Sequence, residues 1–442
     1  MRTHWDAIIV GGGAAGLWAA GTAAERGKRV LVLEKNNKAG VKILMSGGTR
    51  CNITHHCDSR RIAEAFGKNG RVLLSVLERL SPADVVQKFE AEGVATKIES
   101  TGKVFPVSDH AMDVRDALVR RLVRHGAELI TGCAVRNIAP LCDSKITTGT
   151  DSPNFLVQAQ RQGDSFEWTC TNVLITTGGL SYSGCGTTGD GYAWVKQMGH
   201  SVTPLRPALT PLVSPATWVQ ALSGLTLEDI AVRADVFENS GGNNTTPAQH
   251  AGGKAIKLER REARGGFLWT HQGCSGPTSM NVSRCFSDRS PQDRMELVLD
   301  LLPDTTPAEL EEWIKQETQG SNRAISTVLS QRIPKRLAIA ILDSAASGRD
   351  PHLAELPKSV RLKMLESLKR LIIPISGTLG YPKAEVTSGG VPVGEVNFQD
   401  MQSRKQPGLF LAGEILDLDG PIGGFNFQAA WSTGHTAGLH LG

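Results

Sequence analysis

No stretch of this sequence approaches the roughly 18 consecutive apolar residues that span a membrane. The apolar run at its amino terminus, within MRTHWDAIIVGGGAAG, is cut by glycines before it can serve as the core of a signal peptide. Those absences predict a cytoplasmic protein with no membrane partner. A charge excess is missing too. Lys and Arg number 48 against 44 Asp and Glu, a formal +4 over 442 residues, which argues against a nucleic-acid partner and for small-molecule chemistry. No two of the eight cysteines (51, 57, 133, 142, 170, 185, 274 and 285) are spaced as CxxC. That predicts reduced thiols rather than a disulfide framework, and no metal site.

What is abundant is glycine, 48 residues gathered in a few places, the pattern of backbone brought close to ligands. The first cluster follows the short β-forming run Ala7 to Val10. There Gly11, Gly13 and Gly16 spell GxGxxG, an alanine-rich helical stretch continues to Gly27, and a second strand starting at Arg29 ends at Glu34. Strand, glycine turn, helix, strand and terminal acid within about 30 residues form the context of dinucleotide binding. Gly11 permits the turn, Gly13 lets a pyrophosphate approach the backbone, and Gly16 lets the helix pack on the sheet. The helix start, with Ala14 and Ala15, faces the phosphates. Glu34, with Lys35 beside it, is expected to hold an adenosine ribose, and its charge disfavours a 2′-phosphate.

The carboxy-terminal segment decides which dinucleotide binds. A buried strand from Leu409 ends at Gly413 and Glu414, and Gly423, Gly424, Phe425 and Asn426 open a small-residue helix that continues through Gly438. A second strand and helix returning from the far end of the chain suit a long cofactor, FAD. The helix near Gly424 would aim its positive end at the flavin edge that gains negative charge on reduction. The predicted fold is α/β, with a Rossmann-like FAD-binding domain built from 1–194 and 375–442 and interrupted by a β-barrel-like domain, 195–304, and a helical subdomain, 305–374.

Within the insertion, Leu225 to Val236, Lys254 to Arg261, Gly266 to Thr270 and Met295 to Leu301 read as strands of a small antiparallel sheet or barrel, with a Gly/Asn/Thr loop over 238–253. Pro307 to Gln319, Asn322 to Gln331, Lys335 to Ala346 and Lys358 to Leu371 read as short helices. The basic stretch Lys254, Lys257, Arg260, Arg261 and Arg264 reads as a solvated strand face. Before the insertion, the strand from Asn172 runs into Thr177, Gly178 and Gly179, where the chain returns to the cofactor. Gly184, Gly186 and Gly189 repeat GxGxxG. Their strand ends several residues earlier, however, and Pro207, Ala208 and Leu209 stand where a closing acid belongs, so no second dinucleotide domain is expected. By topology, the backbone at Ala134 and Val135 is placed to touch adenine.

The stretches VKILMSGGTRCNIT, GKVFPVS, TTGGLSYSGCGTTGDGY, THQGCSGP, VTSGGV and GLFLAGEILDLDGPIGGFNFQAAWSTGHTAG resemble, in order and across nearly the whole chain, a family of bacterial FAD-dependent flavoprotein oxidoreductases that includes aminoacetone oxidase and a bile-acid 3-oxo-Δ4 reductase. The resemblance implies that a loop carrying Lys42, Ser46, Gly47, Gly48, Arg50, Cys51, Asn52 and Thr54 wraps the flavin. In it Asn52 offers a donor and an acceptor, and Arg50 can balance pyrophosphate or reduced-flavin charge. Thr49 departs from a usual glycine and His55 from a usual asparagine.

The implied activity is two-electron oxidoreduction of a small organic substrate in the cleft between insertion and FAD domain, with NAD(P)H as a transient reductant. Amine oxidation by oxygen and a flavin-based redox sensor using Cys51 are the alternatives. An RNA-modifying role is disfavoured by the weak net charge. Tyr182, in the flavin loop, and His271, on the tight loop THQGCSGP, are the candidate catalytic side chains, the histidine because it can act as acid or base near neutral pH.

Overall fold

Strand β1 (His4–Val10) leads through the first glycine turn into α1 (Ala14–Glu25) and then β2 (Val30–Leu33), whose four residues are all buried, as a strand covered on both faces requires. Helix α2 (Ala111–Arg124), β3 (Glu128–Ile130), β4 (Cys133–Pro140), β5 (Phe155–Arg161) and β6 (Asp164–Ile175) follow. The computed structural model describes residues 4–141, 154–237, 257–290, 292–318, 323–346 and 357–442. The expected loop at 238–253, together with Lys254 and Cys142, lies outside them.

The inserted unit spans Ala208–Ala384. Its long strands are β7 (Thr226–Phe237), β8 (Lys257–Thr270) and β9 (Arg294–Asp300). Helices α3 (Pro307–Thr318), α4 (Lys335–Ala346) and α5 (Lys358–Lys369) precede β10 (Leu371–Ile375), and a shorter helix covers Ile325–Leu329. Among the described residues the strands pair as an open path, β10-β9-β7-β8, continued by Gly273–Ser275, Leu212–Val213 and Gly377–Thr378. Two runs expected as separate strands meet in the single strand β8: the described part of the first, Lys257 to Arg261, and the second, Gly266 to Thr270, are joined because the residues between them keep pairing with β7 (Arg233 opposite Glu262, Ile230 opposite Gly265). Along this face Arg260 pairs with Glu262, and Arg264 reaches Asp229 at 2.7 Å and Asp304 at 2.5 Å, the satisfied charges of a solvated strand. Leu297, Leu299 and Trp269 of the sheet share one apolar core with Leu310, Ile314, Leu337 and Met364 of the helices.

The chain then returns through β11 (Leu409–Leu411) to α6 (Phe425–His440). Residues Met1–Pro207 and Glu385–Gly442 form one compact unit. Its nine-stranded sheet runs Val396–Asn397, Gln402–Ser403, β11, β6, β1, β2, β3, with β5 added antiparallel to β6 and β4 to β5. The central strands β11, β6, β1, β2 and β3 are parallel and end in line. Val10 lies opposite Leu33 and Ile175, Ile175 opposite Leu411, and Leu33 opposite Ile130. The glycines that follow β1, β6 and β11 (Gly11, Gly178 and Gly413) therefore begin at the same carboxyl edge, where open α/β sheets bind ligands.

Helices α1 and α6 pack against each other through their backbones. A Cβ on Gly434 would come 2.4 Å from the Ala15 carbonyl oxygen, and one on Gly438 would come 2.6 Å from that of Ala19. Trp18, Phe89 and Trp431 fill the space beside this seam with ring centroids 5.4–5.7 Å apart. Among the described residues no helix is long and apolar enough to cross a membrane, and no group of three His, Cys, Asp or Glu side chains is placed to hold a metal ion.

Candidate cofactor site at the carboxyl edge of the sheet

A cavity of about 470 Å³ opens along the aligned strand ends, within the size range of ligand clefts. Of the residues expected to hold the cofactor, Gly11, Gly13, Ala14, Ala15, Glu34, Lys35, Lys42, Ser46, Gly47, Arg50, Asn52, Val135, Thr177, Gly178, Gly413, Glu414, Gly423, Gly424 and Asn426 line it. Gly16, Gly48, Cys51, Thr54, Ala134, Gly179 and Phe425 are not in its wall. Strand alternation accounts for Ala134: Cys133 and Val135 line the cavity and the residue between them points the other way. Thr54 is buried, its hydroxyl donating to Gln428 Oε1 at 2.6 Å, and Phe425 stacks on His55 with ring centroids 4.8 Å apart.

At one end, α1 starts from Gly13 with no side chain capping its first turn. A Cβ on Gly13 would meet nothing within 4 Å, whereas one on Gly16 would lie 2.0 Å from the Gly11 carbonyl oxygen. Gly16 thus closes the turn and Gly13 leaves bare backbone toward the cavity. Free N–H groups at the positive end of a helix suit a phosphate. Glu34 is 7% exposed and accepts the Gly12 and Asn36 N–H groups at 2.8 Å each. Burial pushes its carboxyl upward, with those two hydrogen bonds opposing. The Thr177 hydroxyl, in the cavity wall, is buried and has no hydrogen-bond partner among the described residues. A bare helix start, an anchored acid at the end of β2 and an orphaned hydroxyl fit a phosphorylated, ribose-bearing cofactor. Lys35 is not free to join them, because it is held by Asp190 at 2.6 Å and Thr188 at 2.5 Å.

The SGGTRCN loop folds as a tight turn in which Gly47 and Gly48 take left-handed conformations (φ 56° and 68°). Thr49 (φ 70°) and Cys51 (φ 61°) share that region, an uncommon place for a β-branched residue. Thr49 thus holds a left-handed conformation that a glycine adopts without strain. Asn52, its amide oriented to satisfy its neighbours, accepts from Gly424 N–H at 2.9 Å and donates to the Thr54 and Val104 carbonyls. His55 Nδ1 lies 3.0 Å from the Gly423 carbonyl, so both residues tie the loop to the start of α6. Arg50 is already committed: its guanidinium bonds Asp109 at 2.7 Å and Glu99 at 2.5 Å and lies 4.0 Å over the Phe105 ring. Its charge is met by protein carboxylates rather than left for a pyrophosphate.

Lys42 pairs with Glu414 and donates to Ser181 Oγ at 2.7 Å. The other Glu414 oxygen accepts from Ser181 Oγ at 2.5 Å and from Thr387 N–H at 2.9 Å. Tyr182 lines the cavity, and burial, reinforced by Glu385 and Cys185, pushes its phenol upward. His271 lies exposed on the turn after β8, in the inserted unit, and is not among the lining residues. The second glycine pattern belongs to the same wall, since Gly186, Thr187, Thr188 and Asp190 line it and Asn36 Nδ2 donates to the Cys185 carbonyl at 2.9 Å. Lining residues that sequence reading missed include Glu99, Lys103, Phe105 and Glu385. The only signal for them was position: Lys103 and Phe105 lie inside GKVFPVS, and Glu385 immediately precedes VTSGGV.

With this geometry in view, the profile of the HI0933-like protein Rossmann domain matches residues 5–440. The chain is 30% identical to a ribosomal RNA dihydrouridine synthase of Haemophilus influenzae, over 100% of this chain and 99% of that one. It is 27% identical to a 3-dehydro-bile acid delta(4,6)-reductase of Clostridium scindens, over 97% of each. A solved structure, the 3-ketosteroid-delta4-(5alpha)-dehydrogenase of Rhodococcus jostii, shares the fold with a TM-score of 0.51 at 14% identity, covering 99% of this chain and 96% of that one. The α/β Rossmann fold and the cofactor motifs read from the sequence agree with these likenesses, and the chain belongs to the HI0933-like Rossmann-domain family of FAD-dependent oxidoreductases.

Proposed function

We propose that this protein reduces a carbon–carbon double bond conjugated to a carbonyl, and that the bond is the C5=C6 bond of a uridine in ribosomal RNA. The observation that carries the reading is the end-to-end similarity to a ribosomal RNA dihydrouridine synthase. Dihydrouridine is uridine saturated at that bond. A bile-acid delta(4,6)-reductase, the other relative, also takes its name from saturating double bonds, in an oxidised steroid. The two substrates differ in size and share one electronic feature, an alkene activated by a carbonyl.

Gly11 to Ala15 would hold the phosphates of a bound FAD, Glu34 its ribose, and Gly423, Gly424 and Asn426 its far end, and the cofactor would supply the two electrons of the reduction as hydride. The chain's own groups orient the reactants and manage protons. NAD(P)H reaches the flavin only transiently in this reading, because the second glycine pattern is spent on the wall of the first cavity. The small net charge, +4, weighs less against RNA than it first does: an enzyme that flips one base into a pocket needs a local cationic surface rather than a high total charge.

The test incubates FAD-loaded protein and NADPH or NADH with ribosomal RNA from cells lacking the gene. A gain of two hydrogen atoms in one uridine, seen by mass spectrometry, is the expected result. The bile-acid relative favours a second reading, a small enone substrate. Saturation of an unsaturated 3-oxo bile acid with no change in the RNA would select it, and oxygen uptake with amines alone would overturn both.

A further inference from the structure

Five carboxylates line the cavity: Glu34, Glu99, Asp190, Glu385 and Glu414. Four are occupied. Glu34 accepts two backbone N–H groups, Glu99 holds Arg50, Asp190 holds Lys35, and Glu414 holds Lys42, Ser181 and the Thr387 N–H. The fifth, Glu385, is half-buried in the wall and has neither a hydrogen bond nor an ion pair among the described residues. Lys42, Lys103 and Tyr182 are the ionisable groups that act on it. A carboxyl left unpartnered in a wall where every other acid is bound is free to face a ligand.

We propose that Glu385 is the proton donor of the site, handing its carboxyl proton to the substrate carbon next to the carbonyl as hydride arrives at the other alkene carbon. The assignment rests on the reductase reading above. The balance is complete with these parts. The alkene π bond breaks, two C–H bonds form, the flavin's hydride brings both electrons, and the Glu385 O–H bond breaks to leave a carboxylate that water reprotonates.

Burial pushes the Glu385 carboxyl above its ordinary range, against the pull of Lys42 and Lys103, toward the neutral values at which a general acid works best. Tyr182 is the weaker choice because its surroundings push the phenol upward as well, making an already weak acid weaker.

The experiment uses the full chain loaded with FAD, and Glu385→Gln. Isotope-edited infrared titration with 13C-glutamate should show a carboxyl that titrates above the ordinary glutamate value, roughly 4.3, is missing in Glu385→Gln and moves higher in Lys103→Met. With in vitro transcribed ribosomal RNA or an unsaturated 3-oxo bile acid as probe, Glu385→Gln should bind FAD as wild type does and accept electrons from dithionite at the same rate. Its product formation should fall by about 10²- to 10⁴-fold, whereas Tyr182→Phe falls far less.

A Glu385 that titrates in the ordinary range, or a Glu385→Gln that makes product at the wild-type rate, overturns the assignment. If wild type reduces neither probe, the reductase reading fails, and the infrared titration alone then decides whether Glu385 holds a proton. Should Glu385→Gln fail to fold, Glu385→Asp serves in its place. Its shortened reach should slow product formation with FAD binding intact, and an unchanged rate counts against the role.

Discussion

Lys42 and Glu414, 372 positions apart in sequence, form an ion pair at the cavity wall with side chains 26% and 18% exposed. The lysine sits on the short helix Val41–Met45 and the glutamate on the turn that follows β11, so the pair locks the segment leading into the SGGTRCN loop, near one chain end, to the turn after the final strand of the other. Such a contact is worth more than a surface ion pair, because the carboxylate also takes Ser181 and a backbone N–H that would otherwise lose their acceptor.

Lys42→Met should therefore cost about 2 kcal/mol of unfolding free energy. The double substitution Lys42→Met/Glu414→Gln should cost less than the sum of the two singles. Urea unfolding of the four proteins measures the coupling, and additive losses would mean that the pair contributes nothing.

Gly13 and Gly16 lie in one glycine pattern but carry opposite duties. Since a Cβ at Gly16 would come 2.0 Å from a backbone oxygen, Gly16→Ala should lose about 3 kcal/mol or more, seen as a large drop in melting temperature or soluble yield. Gly13 faces open space, so Gly13→Val should melt like the wild-type apoprotein and purify colourless. Yellow Gly13→Val protein would refute the placement of the phosphates.

The parts of the site that were legible in sequence are those with local requirements. A glycine that must leave open space or close a turn, and an acid that ends a strand, leave their mark within one βαβ unit, which is why the glycine turn and Glu34 at the end of β2 were legible. The carboxylate partners of Arg50 were not legible, because Glu99 and Asp109 come from 49 and 59 residues downstream, a distance over which sequence shows no pairing. Glu385 was invisible for a related reason: a single acid before a short strand carries no periodicity, and only the bound state of the other four carboxylates distinguishes it. In the insertion, the break read between Arg261 and Gly266 reflects a gap in β-forming side chains. The cross-strand pairing with β7 overrides it.

Cys51 was the residue that made a redox sensor worth considering. Burial pushes its thiol up to about 12, so it carries almost no thiolate at neutral pH and reacts slowly. Iodoacetamide labelling with peptide mapping should modify Cys57, the one half-buried thiol among the described cysteines, well before Cys51, which should resist until the chain unfolds. Rapid alkylation of Cys51 in the folded protein would revive the sensor.

His435, on α6, is 9% exposed and lies 3.1 Å from the Thr22 hydroxyl of α1. Burial, then the nearby Lys88 and Arg121 charges, hold its imidazole down at about 4, against an ordinary 6.5. As pH falls below 6.5 the unfolded chain takes up a proton that the folded chain refuses, so stability is lost across the window from 6.5 to about 4. At about 1.4 kcal/mol per pH unit the full loss is on the order of 3 kcal/mol. His55 and His200 are held down by burial as well and add slope of the same sign. The test is therefore a difference: urea unfolding at a series of pH values for wild type and His435→Asn should show the steeper acid decline only in wild type. Parallel curves would mean that His435 is protonated in the folded protein, and that the seam between α1 and α6 is wetter than its packing indicates.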